Sequence, residues 1–187
     1  VGATLTVQSL LGSEMARNWQ RSAPSSGRVN GDGFQQNFIE SIRNMPDVAD
    51  AEGRSSYFGR VLGKEADGSD AKFIELFGIA DFNDVHMARF EKVDVPMGMW
   101  PPPRREIILS TVSLTLLGVK PGDTITLQTW DNRRIPLRVA GSSWTADEGG
   151  GTFAYAAIGW VTMETWEWMG LGNSFNRVLY RVQESRL

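Results

Sequence analysis

The 187-residue sequence contains no cysteine, which removes disulfides, thiolate metal sites and cysteine nucleophiles in one step. Histidine is almost as scarce: His86 is the only one, so any imidazole-based mechanism has to pass through it. No apolar run approaches the roughly 18 residues that a membrane-spanning helix needs. No charged n-region followed by an apolar stretch and a cleavage site marks a secretory leader. The chain opens at Val1 rather than at methionine, which reads as a piece of a longer protein. An excess of basic charge is missing too. With 19 Lys and Arg against 22 Asp and Glu, the formal net charge of −3 argues against nucleic acid as a partner, because displacing counterions from phosphates requires a basic footprint. Hydrophobic residues at 41% and charged residues at 22% are ordinary for a folded, water-soluble domain, so neither disorder nor a buried span is suggested.

Catalytic motifs are equally sparse. Serine catalysis needs a nucleophile on a strained turn, and no G-x-S-x-G occurs; "GRSSYFG" and "GSSW" lack that spacing. "GRVLGKE" misses a phosphate loop by one residue between its glycines and carries Glu65 where a magnesium-binding Ser or Thr belongs. In "DEGGGT" the backbone amides face the charges of Asp147 and Glu148, which repel an anion. "DFNDVH" places Asp81, Asp84 and His86 together. Zinc catalysis wants more than one histidine as a rule, and a calcium loop is broken by Val85 and His86 at ligand and glycine positions. The segment reads as a solvated loop. No residue is assigned to catalysis, to a metal or to a cofactor.

What is present is backbone punctuation. Val7, Leu10, Leu11, Met15 and Trp19 fall on one face of a helix, followed by a flexible connector in "SAPSSGRVNGDG". Asp32 and Gln35 resemble a capping box for a second helix with Phe34, Phe38, Ile42 and Met45 as its apolar stripe, stopped by Pro46. "ADAEGRSSYFGRVL" and "AKFIELFGIA" read as two antiparallel strands. Three consecutive prolines make "MGMWPPPRRE" irregular. "EIILS" is a strand, after which Ser110 caps a short helix and Gly118 ends it in the left-handed conformation. Lys120-Pro121-Gly122-Asp123 suits a type II turn. Ile125, Leu127 and Thr129 then alternate with polar residues, as do Ile135, Leu137 and Val139 across a turn at Asp131-Asn132. Pro136 puts the second of these strands at an edge or a bulge. "FAYAAIGW" is a further apolar run, and "TMETWEWMG" a short helix stopped by Gly170. Val178, Tyr180 and Val182 alternate in a last strand that is wet on its other face. Trp144, Trp160, Trp166 and Trp168 read as core filling under a small sheet, with a partner-binding patch as the other reading. A solvated hairpin tip at Arg133 and Arg134 is expected to tolerate charge reversal.

The collinear set "FQQNFIESIRNMPDVADAEG", "IELFGIAD", "REIILSTVSLTLLGVKPGDTITL", "RIPLRVAG" and "NRVLYRV" resembles the extracytoplasmic domain of MacB/FtsX-like ABC transporter permeases. The matching positions are Met45 to Val48, Phe77 to Ile79, Glu106 to Ser110, Leu117 to Ile125 and Ile135 to Gly141. "MGMWPPPRR" replaces the family's usual glycine-rich segment, and the hairpin "TWDNRR" is short. The resemblance implies an α+β fold of helices packed on small antiparallel sheets. It would comprise a membrane-proximal helix and linker (1–33), a porter-like, PAS/ferredoxin-like part (34–85 with 171–187) and a smaller β-rich Sabre-like lobe (86–170). It implies a non-enzymatic domain on the outer side of the cell membrane that passes ATPase-driven movement of membrane helices to an external substrate or partner. Implied partners are a cytoplasmic ATPase, a second permease copy or paralogue, and an accessory protein or lipoprotein outside the membrane. Trp100, Arg104, Arg133, Arg134 and Trp144 are the expected contact surface. The rival of a different class is a soluble β-barrel module that binds a ligand or a metal through Asp81, Asp84 and His86 or the acidic glycine loop.

Overall fold

The computed structural model describes residues 23–63, 68–145 and 156–183. The helix expected around Val7 to Trp19 and the acidic glycine loop at Asp147 and Glu148 lie outside the described residues. The chain runs β1 (Gly27–Phe34), α1 (Gln36–Arg43), β2 (Val48–Leu62), β3 (Lys72–Ile79), β4 (Glu91–Asp94), β5 (Glu106–Ser110), α2 (Thr111–Leu117), β6 (Thr124–Gln128), β7 (Arg134–Trp144), β8 (Ala156–Thr162), α3 (Met163–Trp168) and β9 (Phe175–Val182). It is α+β, mostly sheet with few helices.

Strand β2, 15 residues long, belongs to two sheets. Its first half pairs antiparallel with β9, which pairs with β1. Its second half pairs with β3 on one side and, at its end, with β6 on the other. From there the pairing runs β3 to β8, β8 to β5, β5 to β7 and β7 to β6. The six strands therefore close into a ring. Two of its pairs, β3 with β8 and β5 with β7, are parallel, where the hairpin reading expects antiparallel sheets alone. The helical crossover through α2 lets β5 and β7 run the same way. Strands from both sides of residue 86 share this ring, so the two expected parts are joined by backbone hydrogen bonds.

Alternation fills the ring's interior, as small barrels require. Ile74, Leu76, Ile107, Leu109, Ile125, Leu127, Ile135, Leu137, Val139, Ala157 and Val161 meet there, joined by Trp166 and Met169 at the end of α3. The turns follow the sequence closely. Ser110 accepts from the Ser113 amide, and Gly118 ends α2 at φ 65°. At the Lys120–Asp123 turn Gly122 has φ 95°, the Asp123 amide donates to the Lys120 carbonyl and the Val139 amide to the Asp123 carbonyl. The Asp123 carboxylate accepts from the Lys120 amide at 3.0 Å. At Pro136, β7 pairs only with β6, since its pairing to β5 starts at Arg138 and skips Ala140 in a bulge.

Four expectations are corrected. The connector "SAPSSGRVNGDG" contains β1, whose Gly27 to Asn30 pair with Tyr180 to Arg177; backbone pairing at a sheet edge needs no apolar run. Helix α1 has no Asp32 capping box: Gln35 is the N-cap and its side chain makes no capping bond. The buried face of α1 is Ile39 and Ile42, while Phe38 and Met45 are exposed, because Gly53 opens the sheet directly beneath Ile39. Strand β9 buries both Val178 and Leu179, since α1 covers one face and the segment after β3 covers the other. Finally, the tryptophans fill two cores. Trp166 lies in the ring, and Trp160 lies outside it in a second cluster with Phe77, Ile108 and Phe82.

Candidate functional site

After Ile79 the chain leaves the ring and lies across the face of β2 and β9 that points away from α1. Met87 and Ala88 pack on Leu179 there. A carboxylate and a guanidinium from β2 hold this segment. Glu52 Oε2 accepts from the His86 amide at 2.8 Å and the Met87 amide at 3.0 Å. Its Oε1 stands 3.0 Å from Nη1 of Arg54, whose Nη2 donates to the Met87 carbonyl at 3.0 Å. Arg54 is only 1% exposed, and its Nε and Nη1 make no hydrogen bond among the described residues. The contact of Nη1 with Glu52 is thus a close charge pair without hydrogen-bond angles. A buried cation of this kind relies on its counter-charge.

Beside this anchor, His86 presents Nδ1 to Asp50 Oδ2 and Nε2 to Asp84 Oδ1, each at 3.1 Å. Asp50 also pairs with Arg43 at 3.2 Å. Of the sequence trio, Asp84 and His86 meet, but Asp81 instead accepts from the Asn83 amide and closes a turn. Among the described residues no group of three or more His, Cys, Asp or Glu side chains is arranged to hold a metal ion.

The same segment builds a concavity of about 390 Å³ on the outside of the ring. Its wall is aromatic: Phe82 stacks on Phe90 at 5.2 Å, and Trp100 meets both rings edge-on at 5.0 and 5.2 Å. Phe90 in turn rests on buried Trp160 at 5.3 Å. The rim carries Asp84, His86, Arg89 and Lys92, with Lys92 Nζ 4.6 Å from the Trp100 ring centroid.

The five expected contact residues do not form one surface. Trp100 belongs to the aromatic wall, and Trp144 ends β7 opposite Glu91 of β4. Arg133 and Arg134 sit at the other end of the 11-residue β7, on the order of 30 Å away along an extended strand. Arg104 pairs with Glu164 of α3 at 3.4 Å. Arg133 is also less free than a hairpin tip suggests. Its Nη1 donates to the Met169 carbonyl at 2.7 Å, tying the hairpin to the end of α3. Its Nε donates to Asp131 Oδ2 at 2.7 Å. Asp131 is held below the ordinary carboxylate range by the Thr129 hydroxyl bond first and by Arg133 second. Sequence reasoning missed Glu52, Arg54, Arg89 and Lys92. The only signal for the pocket was three aromatics, Phe82, Phe90 and Trp100, scattered through a stretch with no periodicity.

The fold is that of domains found outside the membrane in ABC-type transporters. The extracellular domain of the transporter YknZ from Gram-positive bacteria superimposes with a TM-score of 0.52 at 14% identity, over 88% of this chain and 82% of that chain. The periplasmic region of MacB from Actinobacillus actinomycetemcomitans gives 0.50 at 12% identity, over 86% of this chain and 75% of that chain. No family model matches the sequence, and no curated protein matches it. At these identities the likeness is one of fold. No helix among the described residues is long and apolar enough to cross a membrane.

Proposed function

We propose that this chain is the extracytoplasmic domain of an ABC transporter permease, non-catalytic itself, that passes ATPase-driven motion of membrane helices to a substrate or partner outside the membrane. The observation that carries this reading is a fold likeness spanning 88% of the chain and 82% of the YknZ domain. The build of the domain supports it. A lever needs stiffness, and β2 runs unbroken through both sheets, so displacement of one sheet reaches the other through a single strand. The packed ring around Ile74, Leu76 and Leu127 leaves few soft joints. A cytoplasmic ATPase, a second permease copy or paralogue and an accessory protein or lipoprotein are the partners that belong to this reading. The division into a porter-like part (34–85 with 171–187) and a Sabre-like lobe (86–170) is part of the proposal, with β2 reaching into both. Contacts are assigned to two separate places: the β6–β7 hairpin with Arg133 and Arg134, and the Trp144 end of β7 beside the Trp100 wall, with Arg104 between helix α3 and the proline segment.

Dipolar spin-label distances in the assembled permease test this. Met97 is fully exposed and Val112 is 71% exposed, so both accept a label. The distance between labels at Met97 on the two permease chains is expected to change between nucleotide-free and ATP-trapped states. The distance from Met97 to Val112 within one domain is expected to stay fixed. An unchanged distance between chains throughout the cycle overturns the proposal.

A further inference from the structure

The aromatic concavity between Phe82 and Trp100 has a charge balance that the transmission of motion does not use. Of the groups on its rim, the one acid, Asp84, is engaged by His86 Nε2 at 3.1 Å. The cations are not engaged in the same way. Arg89 is exposed and makes no ion pair or hydrogen bond through its side chain among the described residues. Lys92 has an aromatic ring, not an acid, as its neighbour. A guanidinium offers a planar fork that matches a carboxylate or sulfonate, and an ammonium adds a second point charge. Beneath them, Phe82, Phe90 and Trp100 are fixed against one another and against Trp160 by ring contacts of 5.0 to 5.3 Å, so the wall is in place before any ligand arrives. The volume of about 390 Å³ falls in the range of roughly 300–1,000 Å³ typical of small-ligand sites.

We infer that this concavity binds a small organic anion, with its acid group at Arg89 and Lys92 and a flat apolar body against the Phe82–Phe90–Trp100 wall. The inference does not depend on the transporter reading, because every element of it is local to residues 82–100.

The test uses 1-anilinonaphthalene-8-sulfonate as the probe, titrated into the purified 187-residue chain, with competition by indole-3-acetate and by its neutral isostere indole-3-acetamide. One probe molecule per chain is expected, displaced at least about tenfold more effectively by the acid than by the amide, as charge-assisted bonds outweigh neutral ones. The double variant R89Q/K92Q is expected to weaken probe binding by about tenfold or more. Its melting temperature should stay unchanged, since both side chains are exposed and without acid partners. Amide shifts on adding indole-3-acetate should centre on residues 82–92. Equal competition by acid and amide overturns the inference. So does unaltered binding by R89Q/K92Q, which would mark the probe as an adventitious additive only on general apolar surface.

Discussion

Replacing Glu52 by glutamine isolates the charge that holds the segment after β3. The amide oxygen can still accept from the His86 and Met87 amides, now at 2.8 and 3.0 Å, so the orphaning of backbone donors is avoided. What changes is the other end: an NH2 group replaces the oxygen that lies 3.0 Å from Arg54 Nη1. Arg54, 1% exposed, then keeps a buried positive charge with no anion against it. Breaking a buried pair in this way costs roughly 3–5 kcal/mol. The Glu52 side chain retains 16% exposure, which admits some solvent relief, so a loss of about 3 kcal/mol is expected. The companion E52Q/R54M removes the stranded cation and should be more stable than E52Q alone, because a neutral pair of similar volume is often tolerated. Urea unfolding of the four proteins of the cycle measures both effects, and hydrogen exchange at the His86 and Met87 amides reports whether the segment loosens. If E52Q unfolds within about 0.5 kcal/mol of the parent, the claim that this pair anchors the segment is wrong.

Gly53→Ala places a Cβ 2.2 Å from Ile39 Cδ1 and 2.7 Å from Phe175 Cδ2; the overpacking should cost about 1–3 kcal/mol in thermal or urea melting, with α1 displaced. Arg133→Glu removes the bond to the Met169 carbonyl and should lower stability by about 1 kcal/mol, whereas exposed Arg134→Glu should fall within about 0.5 kcal/mol of the parent; equal effects would deny the tie to α3. Asp131 has a lowered folded pKa, so its contribution is fully present above its unfolded pKa and is lost as pH falls through its folded value. Asp131→Asn is expected to flatten the part of the acid limb between about pH 5 and 2 in urea midpoints, and an unaltered limb would contradict the Thr129 and Arg133 contacts.

Local chemistry carried much of the fold into the sequence. Ser110, Gly118 and the Lys120–Asp123 turn act through backbone conformation, which neighbours in sequence decide, and the alternation of Ile125, Leu127, Ile135 and Leu137 states directly which face is inside. Ring closure was not legible, because β3 to β8 and β6 to β2 pair across long separations without any local signal. The misread elements share a cause. β1, the second buried face of β9 and the apolar face of α1 are each decided by what lies against them, namely the edge of β9, the Met87–Ala88 segment and Gly53. The pocket was hidden for the same reason: its aromatics come from an irregular stretch, and its anchor, Glu52 and Arg54, resembles any charged pair in a strand until the burial of Arg54 is known.

The central claim is that this domain stands outside the membrane in a permease. Because the chain has no cysteine, a single cysteine at fully exposed Met97 gives an unambiguous label within it. In intact cells carrying the full protein with any cysteines elsewhere replaced, a membrane-impermeant maleimide should modify position 97 to the same extent as after lysis. Labelling that occurs only after lysis would place the domain in the cytoplasm and contradict the account.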